Sequence, residues 1–149
     1  MIRFSEVIPG EVYRSGRYSA GGIRAVSPTI RRVIDLRQTH RPDMLAASTY
    51  RRMSLEYIRV PVDKSVEIPP ETWVAIQRLL VVPTLVHCYK GLHRTGTICA
   101  MLRVTRCGWE PARAWEECER MGFGVHHEAL KAGFWRWIAD LDPEMRRLS

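Results

Sequence analysis

One stretch of the sequence, residues 87–96, combines a thiol, a guanidinium group and a glycine at a spacing suited to phosphate chemistry. Cys88 follows an apolar run, Gly91 lies in the middle of the stretch, and the stretch contains no acidic residue. The stretch leads from a predicted strand into a predicted helix, and backbone N–H groups and the helix dipole at such a junction bind anions. The pattern predicts that Cys88 attacks a phosphate ester while Arg94 holds the phosphate.

The same surroundings favour a reactive thiol. A free cysteine titrates near ~8.5, whereas a helix N-terminus and nearby cations can lower its pKa to about 3.5–7.5. Cys88 is therefore expected to be largely a thiolate at neutral pH. The planar fork of Arg94 matches two phosphate oxygens at once, which a lysine cannot do. The hydroxyl of Thr95 is placed to hydrogen-bond the Cys88 sulfur and to ease its departure from a phosphocysteine.

The spacing alone is weak, because 4 cysteines and 20 arginines in this chain would give about half a match of Cys, five residues, Arg by chance. A second match does occur, from Cys107 to Arg113. It contains Glu110, which would repel a phosphate, and Pro111, which has no N–H to donate. We interpret it as a connection between helices, and we interpret Cys88 as functional rather than as a small buried apolar residue.

The rest of the stretch supplies the expected phosphate contacts. His87 is predicted to orient the loop, and His93 to contact substrate or a neighbouring carboxylate. A metal site would need a fourth ligand that the pattern lacks, so we expect neither a metal nor another cofactor. A second histidine pair, residues 126–127, precedes the last predicted helix and is interpreted as capping or surface. The predicted phosphate-binding residues are Tyr89, Lys90, Gly91, Leu92, His93 and Arg94.

A departing alkoxide or phenolate needs a proton, and general acid catalysis of this kind is worth ~100- to 10,000-fold. Asp63 leaves a predicted strand at the carboxyl edge of the sheet, the edge that also carries Cys88. It is the preferred candidate, and the same carboxylate can activate the water of the second step. Glu67, later in the same loop, is the alternative. Asp35 lies within a strand and is interpreted as a buried partner for a nearby arginine.

Short β-rich runs alternate with longer helical periods, which predicts an α/β fold with a central, mostly parallel sheet flanked by helices. The predicted strands are 11–14, 32–36, 55–60 and 84–87. A short helix is predicted near Ala20–Ser27, and helical spacing covers Pro42 to Met53. Longer helices are predicted from Pro69, from Thr95, over Pro111–Met121 and over Glu128–Leu141, with their aromatic residues in the core.

The length and net charge of the chain limit the number of domains and the kinds of partner. The 149 residues suit one compact domain over 1–149 with a sizeable core. The net charge of +7 favours anionic partners, yet no zinc-finger, basic-region or RNA-binding pattern points to nucleic acid. The cysteines lack paired spacing and no signal peptide precedes them, so a cytoplasmic protein with reduced thiols is expected. No apolar run reaches the ~18 residues of a membrane span.

These motifs resemble the cysteine-based protein tyrosine and dual-specificity phosphatases, and most closely the plant and fungal atypical dual-specificity phosphatases and their bacterial relatives. The resemblance implies a compact phosphatase domain with Cys88 as nucleophile, Arg94 as phosphate binder and Asp63 as general acid. It covers most of the chain. The residues that carry it are Val86-His87-Cys88, Gly91, His93-Arg94-Thr95-Gly96, Gly10-Glu11-Val12-Tyr13-Arg14-Ser15-Gly16, Val33-Ile34-Asp35-Leu36-Arg37 and Gly108-Trp109.

The substrate class stays open at this point. Members of that group act on phosphotyrosine or on inositol pyrophosphates, and they usually carry lysine four residues after the cysteine, where this chain has Leu92. Lys90, His93 and three arginines, Arg14, Arg17 and Arg37, are alternative sources of positive potential. The expected partner is a phosphorylated protein or an inositol phosphate, phosphoinositides included. A non-catalytic phosphate-binding module and a rhodanese-like or arsenate-reducing activity are the competing functions.

Overall fold

The computed structural model describes residues 3–17, 20–38 and 44–141 of the chain, with the side chains of residues 44–47 left undescribed. The strands are β1 (Ser5–Ile8), β2 (Val12–Ser15), β3 (Arg32–Asp35), β4 (Glu56–Arg59) and β5 (Thr84–His87). The helices are α1 (Ala20–Val26), α2 (Met44–Arg52), α3 (Pro70–Leu79), α4 (Arg94–Thr105), α5 (Pro111–Arg120) and α6 (Glu128–Asp140).

The strands form one five-stranded sheet in the order β1-β2-β5-β3-β4. Four of the described strands, β2, β5, β3 and β4, run parallel to one another. The edge strand β1 pairs with β2 in the antiparallel direction. The predicted α/β class with a mostly parallel sheet is confirmed. Strand β1 is an addition that the sequence did not predict, because four residues with Glu6 among them carry little apolar signal.

Successive side chains along a strand point to opposite faces of the sheet, and each face packs against its own hydrophobic core. Val33 and Leu85 face a smaller core with Ile23, whereas Ile34 and Val86 face a larger one. Helix α4 fills the centre of the larger core and is buried nearly all round. This placement explains why its sequence is apolar on every face.

The predicted helix boundaries hold closely where the structure describes them. Proline begins both α3 and α5, as expected from its tolerance of the first turn. The first two residues of the predicted helix from Pro42 to Met53 lie outside the described residues, and α2 begins at Met44. Within the described part of the chain, every helix is too short or too polar to cross a lipid bilayer.

Candidate active site

A cavity of about 500 Å³ opens at the carboxyl edge of the parallel strands, over the end of β5 and the start of α4. Parallel α/β sheets bind ligands at this edge. Its lining is rich in cationic and imidazole side chains and contains no carboxylate among the described residues. The residues that line it are Arg37, Gln38, Lys64, Cys88, Tyr89, Lys90, His93, Arg94 and His127.

Cys88 lies at the floor of this cavity. Its side chain is 2% exposed, and its Sγ accepts a hydrogen bond of 3.3 Å from the backbone N–H of Gly91. Helix α4 begins at Arg94, so the sulfur also lies near the positive end of the helix dipole. Both interactions favour negative charge on the sulfur or on a ligand bound above it.

Gly91 has a conformation that other residues rarely adopt. Its φ is +74°, and a Cβ atom at this position would lie 2.5 Å from the backbone nitrogen of Gly16 and 2.6 Å from the carbonyl carbon of Ser15. The segment that follows β2 therefore packs directly against the loop. A second contact, from the N–H of Arg17 to the carbonyl of Tyr89 at 3.0 Å, joins the same two segments.

The remaining loop side chains point in different directions. Leu92 is buried and packs on Gly122, where an added Cβ would meet it at 3.1 Å. It can therefore offer only its backbone to a ligand. Tyr89 is exposed and stacks under the guanidinium of Arg17, 4.8 Å from the ring centroid. Arg94 lines the cavity and forms no ion pair within the described residues, which leaves its charge available.

Thr95 does not form the bond that its position predicted. Its hydroxyl is buried in the first turn of α4 and has no hydrogen-bond partner within the described part of the chain. The Cys88 sulfur accepts the N–H of Gly91 instead. The expected bond from Thr95 to Cys88 is therefore absent from this structure, and the hydroxyl remains a buried donor close to the loop.

A buried ion-pair network supports the loop from below. Asp35 is bidentate to Arg37, at 3.0 and 2.8 Å, and also accepts a hydrogen bond from the Tyr57 hydroxyl. Burial alone would raise the pKa of Asp35, but the bonds from Arg37 and Tyr57 and the proximity of His87 lower it to about 2. The predicted pairing of Asp35 with a nearby arginine is confirmed, and Asp35 stays ionised at neutral pH.

His87 lies between this network and Cys88. Its Nδ1 is 3.2 Å from the carbonyl oxygen of Cys88 and 3.9 Å from a carboxylate oxygen of Asp35. Burial lowers its pKa, although Asp35 partly opposes that effect. A neutral imidazole with its N–H directed at the Cys88 carbonyl is consistent with the orienting role predicted for His87.

His93 contacts another imidazole rather than a carboxylate. Its ring centroid is 3.7 Å from that of His127 and 5.4 Å from that of Phe123. Burial and the positive charges of His127, Lys90 and other neighbours lower the pKa of His93 to about 4. His127 itself lines the cavity and makes no side-chain cap at α6. The capping interpretation of His127 was therefore wrong, whereas the side chain is partly exposed, as the surface interpretation expected.

The two acid candidates lie in different surroundings. Asp63 is half-buried, and its carboxylate accepts the N–H of Ser65 at 2.8 Å. It does not line the cavity, but the next residue, Lys64, does. Glu67 forms an ion pair with Arg136 and packs against Gly133 of α6, and it does not line the cavity. Asp63 therefore adjoins a cavity residue, and its role as the acid stays a prediction.

The other positive groups and thiols are placed apart from the cavity. Arg14, one of the alternative sources of positive potential, is 2% exposed and lies within the core rather than in the cavity lining. Cys99 and Cys118 are buried on helices, and burial raises the pKa of both thiols. Cys107 is exposed and follows the end of α4, so its predicted place in a connection between helices is confirmed.

No cluster of three or more His, Cys, Asp or Glu side chains suited to a metal ion occurs in the part of the chain that the structure describes.

The fold is that of the cysteine-based tyrosine and dual-specificity phosphatases, and the comparisons confirm the resemblance predicted from the loop. No protein-family model matches the chain. The chain is 40% identical over 60 residues to the dual specificity protein phosphatase TpbA of Pseudomonas aeruginosa strain UCBPP-PA14. That match covers 40% of this chain and 28% of the TpbA sequence, so it spans little more than a quarter of the curated relative.

Three solved structures show the fold over nearly the whole chain. Tk-PTP in its active form has a TM-score of 0.73 and 20% identity, and covers 93% of this chain and 97% of its own. P. aeruginosa TpbA in complex with pTyr has a TM-score of 0.72 and 20% identity, with 98% and 89% covered. The core catalytic domain of the PP-IP phosphatase SIW14 from S. cerevisiae, in complex with citrate, has a TM-score of 0.72 and 22% identity, with 97% and 89% covered.

Proposed function

We propose that this chain hydrolyses phosphate monoesters of the phosphotyrosine or dual-specificity type through a phosphocysteine intermediate. The observation that carries the proposal is the junction at Cys88. The sulfur lies at the end of a central strand, accepts an N–H from its own loop, and faces a cavity lined by Arg94 at the start of α4. The names of TpbA, a dual specificity protein phosphatase, and of SIW14, a PP-IP phosphatase, agree with it.

In the first step the thiolate of Cys88 attacks phosphorus, forming the S–P bond while the ester P–O bond breaks. Asp63 gives its proton to the departing oxygen, which leaves as the alcohol or phenol. Arg94 and the loop N–H groups hold the phosphoryl oxygens as they spread into the transition state. The product of this step is phosphocysteine and a deprotonated Asp63.

In the second step water attacks phosphorus and gives a proton to the Asp63 carboxylate. The S–P bond breaks, inorganic phosphate forms, and Cys88 returns to the thiolate. Asp35 is not available as the proton donor, because its carboxylate oxygens are bonded to Arg37 and Tyr57 and its pKa of about 2 keeps it ionised. His93, with a pKa of about 4, is neutral at pH 7 and is therefore not in the imidazolium form that could donate this proton.

A second candidate class is an inositol (pyro)phosphate or phosphoinositide. The cavity combines Lys64 and Lys90 with Arg94, and none of the described lining residues is acidic. This is more positive charge than a single phosphate in the loop requires, and it suits a substrate with further phosphates. The name of SIW14, a PP-IP phosphatase, points in the same direction.

The deciding experiment is phosphate release from a substrate panel. The panel contains phosphotyrosine and phosphoserine peptides, inositol polyphosphates and pyrophosphates, and phosphoinositides. Wild-type protein is expected to release phosphate from at least one class, and Cys88→Ser to release none. Cys107→Ser is the matched control, because Cys107 has the same spacing to an arginine but is exposed outside the cavity.

Inactivity of the wild type across the panel would overturn the proposal and favour a phosphate-binding module or sulfur chemistry. Activity that survives Cys88→Ser would overturn the phosphocysteine mechanism. Arg94→Lys separates charge from geometry, since lysine cannot bind two phosphate oxygens side by side. We expect it to lower kcat/KM strongly while Cys88 still reacts with alkylating agents.

A further inference from the structure

Arg14, on strand β2, is a charged side chain placed inside the protein. It is 2% exposed, and its Nη2 donates to the carbonyl oxygen of Gly91 at 2.9 Å. Its Nε is buried and has no hydrogen-bond partner, and no carboxylate pairs with it among the described residues. A buried cation of this kind is costly unless something compensates its charge.

The surroundings of Arg14 increase that cost. Its register partner on β5 is Val86, so its side chain enters the larger core beneath α4. Its Nη2 is 3.6 Å from the position that a Cβ atom on Gly96 would take. A cation beside the first turn of α4 meets the positive end of the helix dipole, and the same turn carries the cation Arg94.

Neighbouring titratable groups do not supply the missing negative charge. The thiols of Cys99 on α4 and Cys118 on α5 are buried, and burial raises the pKa of both. Glu117 on α5 is already paired with Arg103, at 3.0 Å. Among the described residues, the remaining group beside the loop that can carry negative charge is the Cys88 sulfur, and a phosphate bound above it would add to that charge.

Gly91 connects Arg14 directly to the nucleophile. Its N–H donates to the Sγ of Cys88, and its carbonyl accepts from Arg14. A trans peptide is planar and its C=O and N–H point in opposite directions. A carbonyl of Gly91 directed into the core toward Arg14 therefore turns the N–H of Leu92 away from the core, to the side on which the cavity lies.

We propose that Arg14 is a positioning residue, which holds the Gly91–Leu92 peptide so that the Leu92 N–H faces the phosphate. The charge of Arg14 is balanced in turn by the Cys88 thiolate and by that phosphate. It does not touch the substrate and acts through the loop, in contrast to Arg94. The proposal rests on one part of the proposed function, namely that the loop binds phosphate. This role also gives a reason for an unpaired charge in the core.

The test compares Arg14→Met with Arg14→Lys and with a matched control, Arg106→Met. Methionine keeps an unbranched apolar stem without the charge, and lysine keeps the charge. Arg106 also donates to a backbone carbonyl, that of Leu80, but lies at the far end of α4. The first measurement is the pH midpoint of iodoacetamide alkylation of Cys88, followed on its peptide by mass spectrometry, with and without inorganic phosphate. The second is kcat/KM on p-nitrophenyl phosphate.

Arg14→Met is expected to raise the alkylation midpoint, to weaken protection by phosphate and to lower kcat/KM about 10- to 100-fold, the value of one charge-assisted hydrogen bond. Arg14→Lys is expected to keep the wild-type midpoint and recover most of the activity.

A structural role alone would give the opposite pattern. If Arg14→Met fails to fold, or melts lower while its folded fraction keeps the wild-type midpoint and phosphate protection, the proposal is overturned. Equal effects of Arg14→Met and Arg106→Met would also overturn it. Alkylation and phosphate protection need no turnover, so the result stands apart from the outcome of the hydrolysis panel.

Discussion

Replacing Gly91 by alanine tests whether the loop depends on close packing against β2. The added Cβ would lie 2.5 Å from the nitrogen of Gly16 and 2.7 Å from the carbonyl oxygen of Ser15, and the φ of +74° is unfavourable for any L side chain. The conformational cost is about 1–2 kcal/mol. Overpacking against backbone adds about 1–3 kcal/mol, so we expect Gly91→Ala to lower the free energy of unfolding by about 2–5 kcal/mol.

Gly108→Ala is a matched control. Its φ is +70°, nearly that of Gly91, but nothing lies within 4 Å of the added Cβ. It should therefore show only the conformational cost of about 1–2 kcal/mol. The assay is urea unfolding at neutral pH, combined with phosphate release by the folded protein.

Gly91→Ala is also expected to reduce phosphate release by the protein that remains folded, because relief of the clash must move the N–H that contacts the Cys88 sulfur. Gly108→Ala should keep wild-type kcat. Equal destabilisation by the two substitutions would refute the close packing described for Gly91. Unchanged activity of Gly91→Ala would show that the loop does not need this conformation.

Three further predictions follow from the site. Asp63→Asn should lower kcat about 100- to 10,000-fold on alkyl phosphates and much less on p-nitrophenyl phosphate, while Glu67→Gln stays near wild type; equal losses would contradict the choice of acid. Because the folded-state pKa of Asp35 is lowered from 3.8 to about 2, its contribution of about 2 kcal/mol is present above pH 4 and is lost as the pH falls toward 2. Urea midpoints against pH should show that loss in wild type and a flatter curve in Asp35→Asn. Peroxide and vanadate should each inactivate the enzyme, with peroxide damage at Cys88 reversed by thiols; insensitivity to both would contradict a thiolate there.

The sequence predicted the parts of the site that depend on local structure. The positions of Cys88, Gly91 and Arg94 follow from an apolar strand, a glycine and the start of a helix within about ten residues. The loop between strand and helix is too short to place these three residues far apart. The parallel sheet was likewise predictable, since strands of alternating apolar pattern are separated by helices long enough for crossovers. Both results needed no information from distant residues.

The residues that were missed depend on tertiary contacts. His127 reaches the cavity only because the connection from α5 to α6 folds back over His93. Arg14 is a charged residue in strand β2, whose sequence Val-Tyr-Arg-Ser is half polar. The packing of α4 above β2 buries it. Strand β1 exists through its pairing with β2. Neither periodicity nor motif spacing carries such information.

The expectation for Thr95 failed for a related reason. Its position in the first turn of α4 is local and was predicted, but the direction of a hydroxyl and the choice of partner for the Cys88 sulfur depend on the exact path of the loop. That path is determined by the contact between Gly91 and the residues after β2. The nearest available donor to the sulfur is then the N–H of Gly91.

The most direct test of the central claim is to trap the covalent intermediate. Protein is mixed with a radiolabelled phosphomonoester identified in the panel, quenched in acid within the first turnovers and digested, and the label is located by mass spectrometry. Asp63→Asn is included, because loss of the base should slow the second step and raise the trapped fraction on a substrate with a good leaving group. We predict one phosphoryl group on the Cys88 peptide and none in Cys88→Ser; label on another residue, or turnover with no covalent label in either protein, would contradict the account.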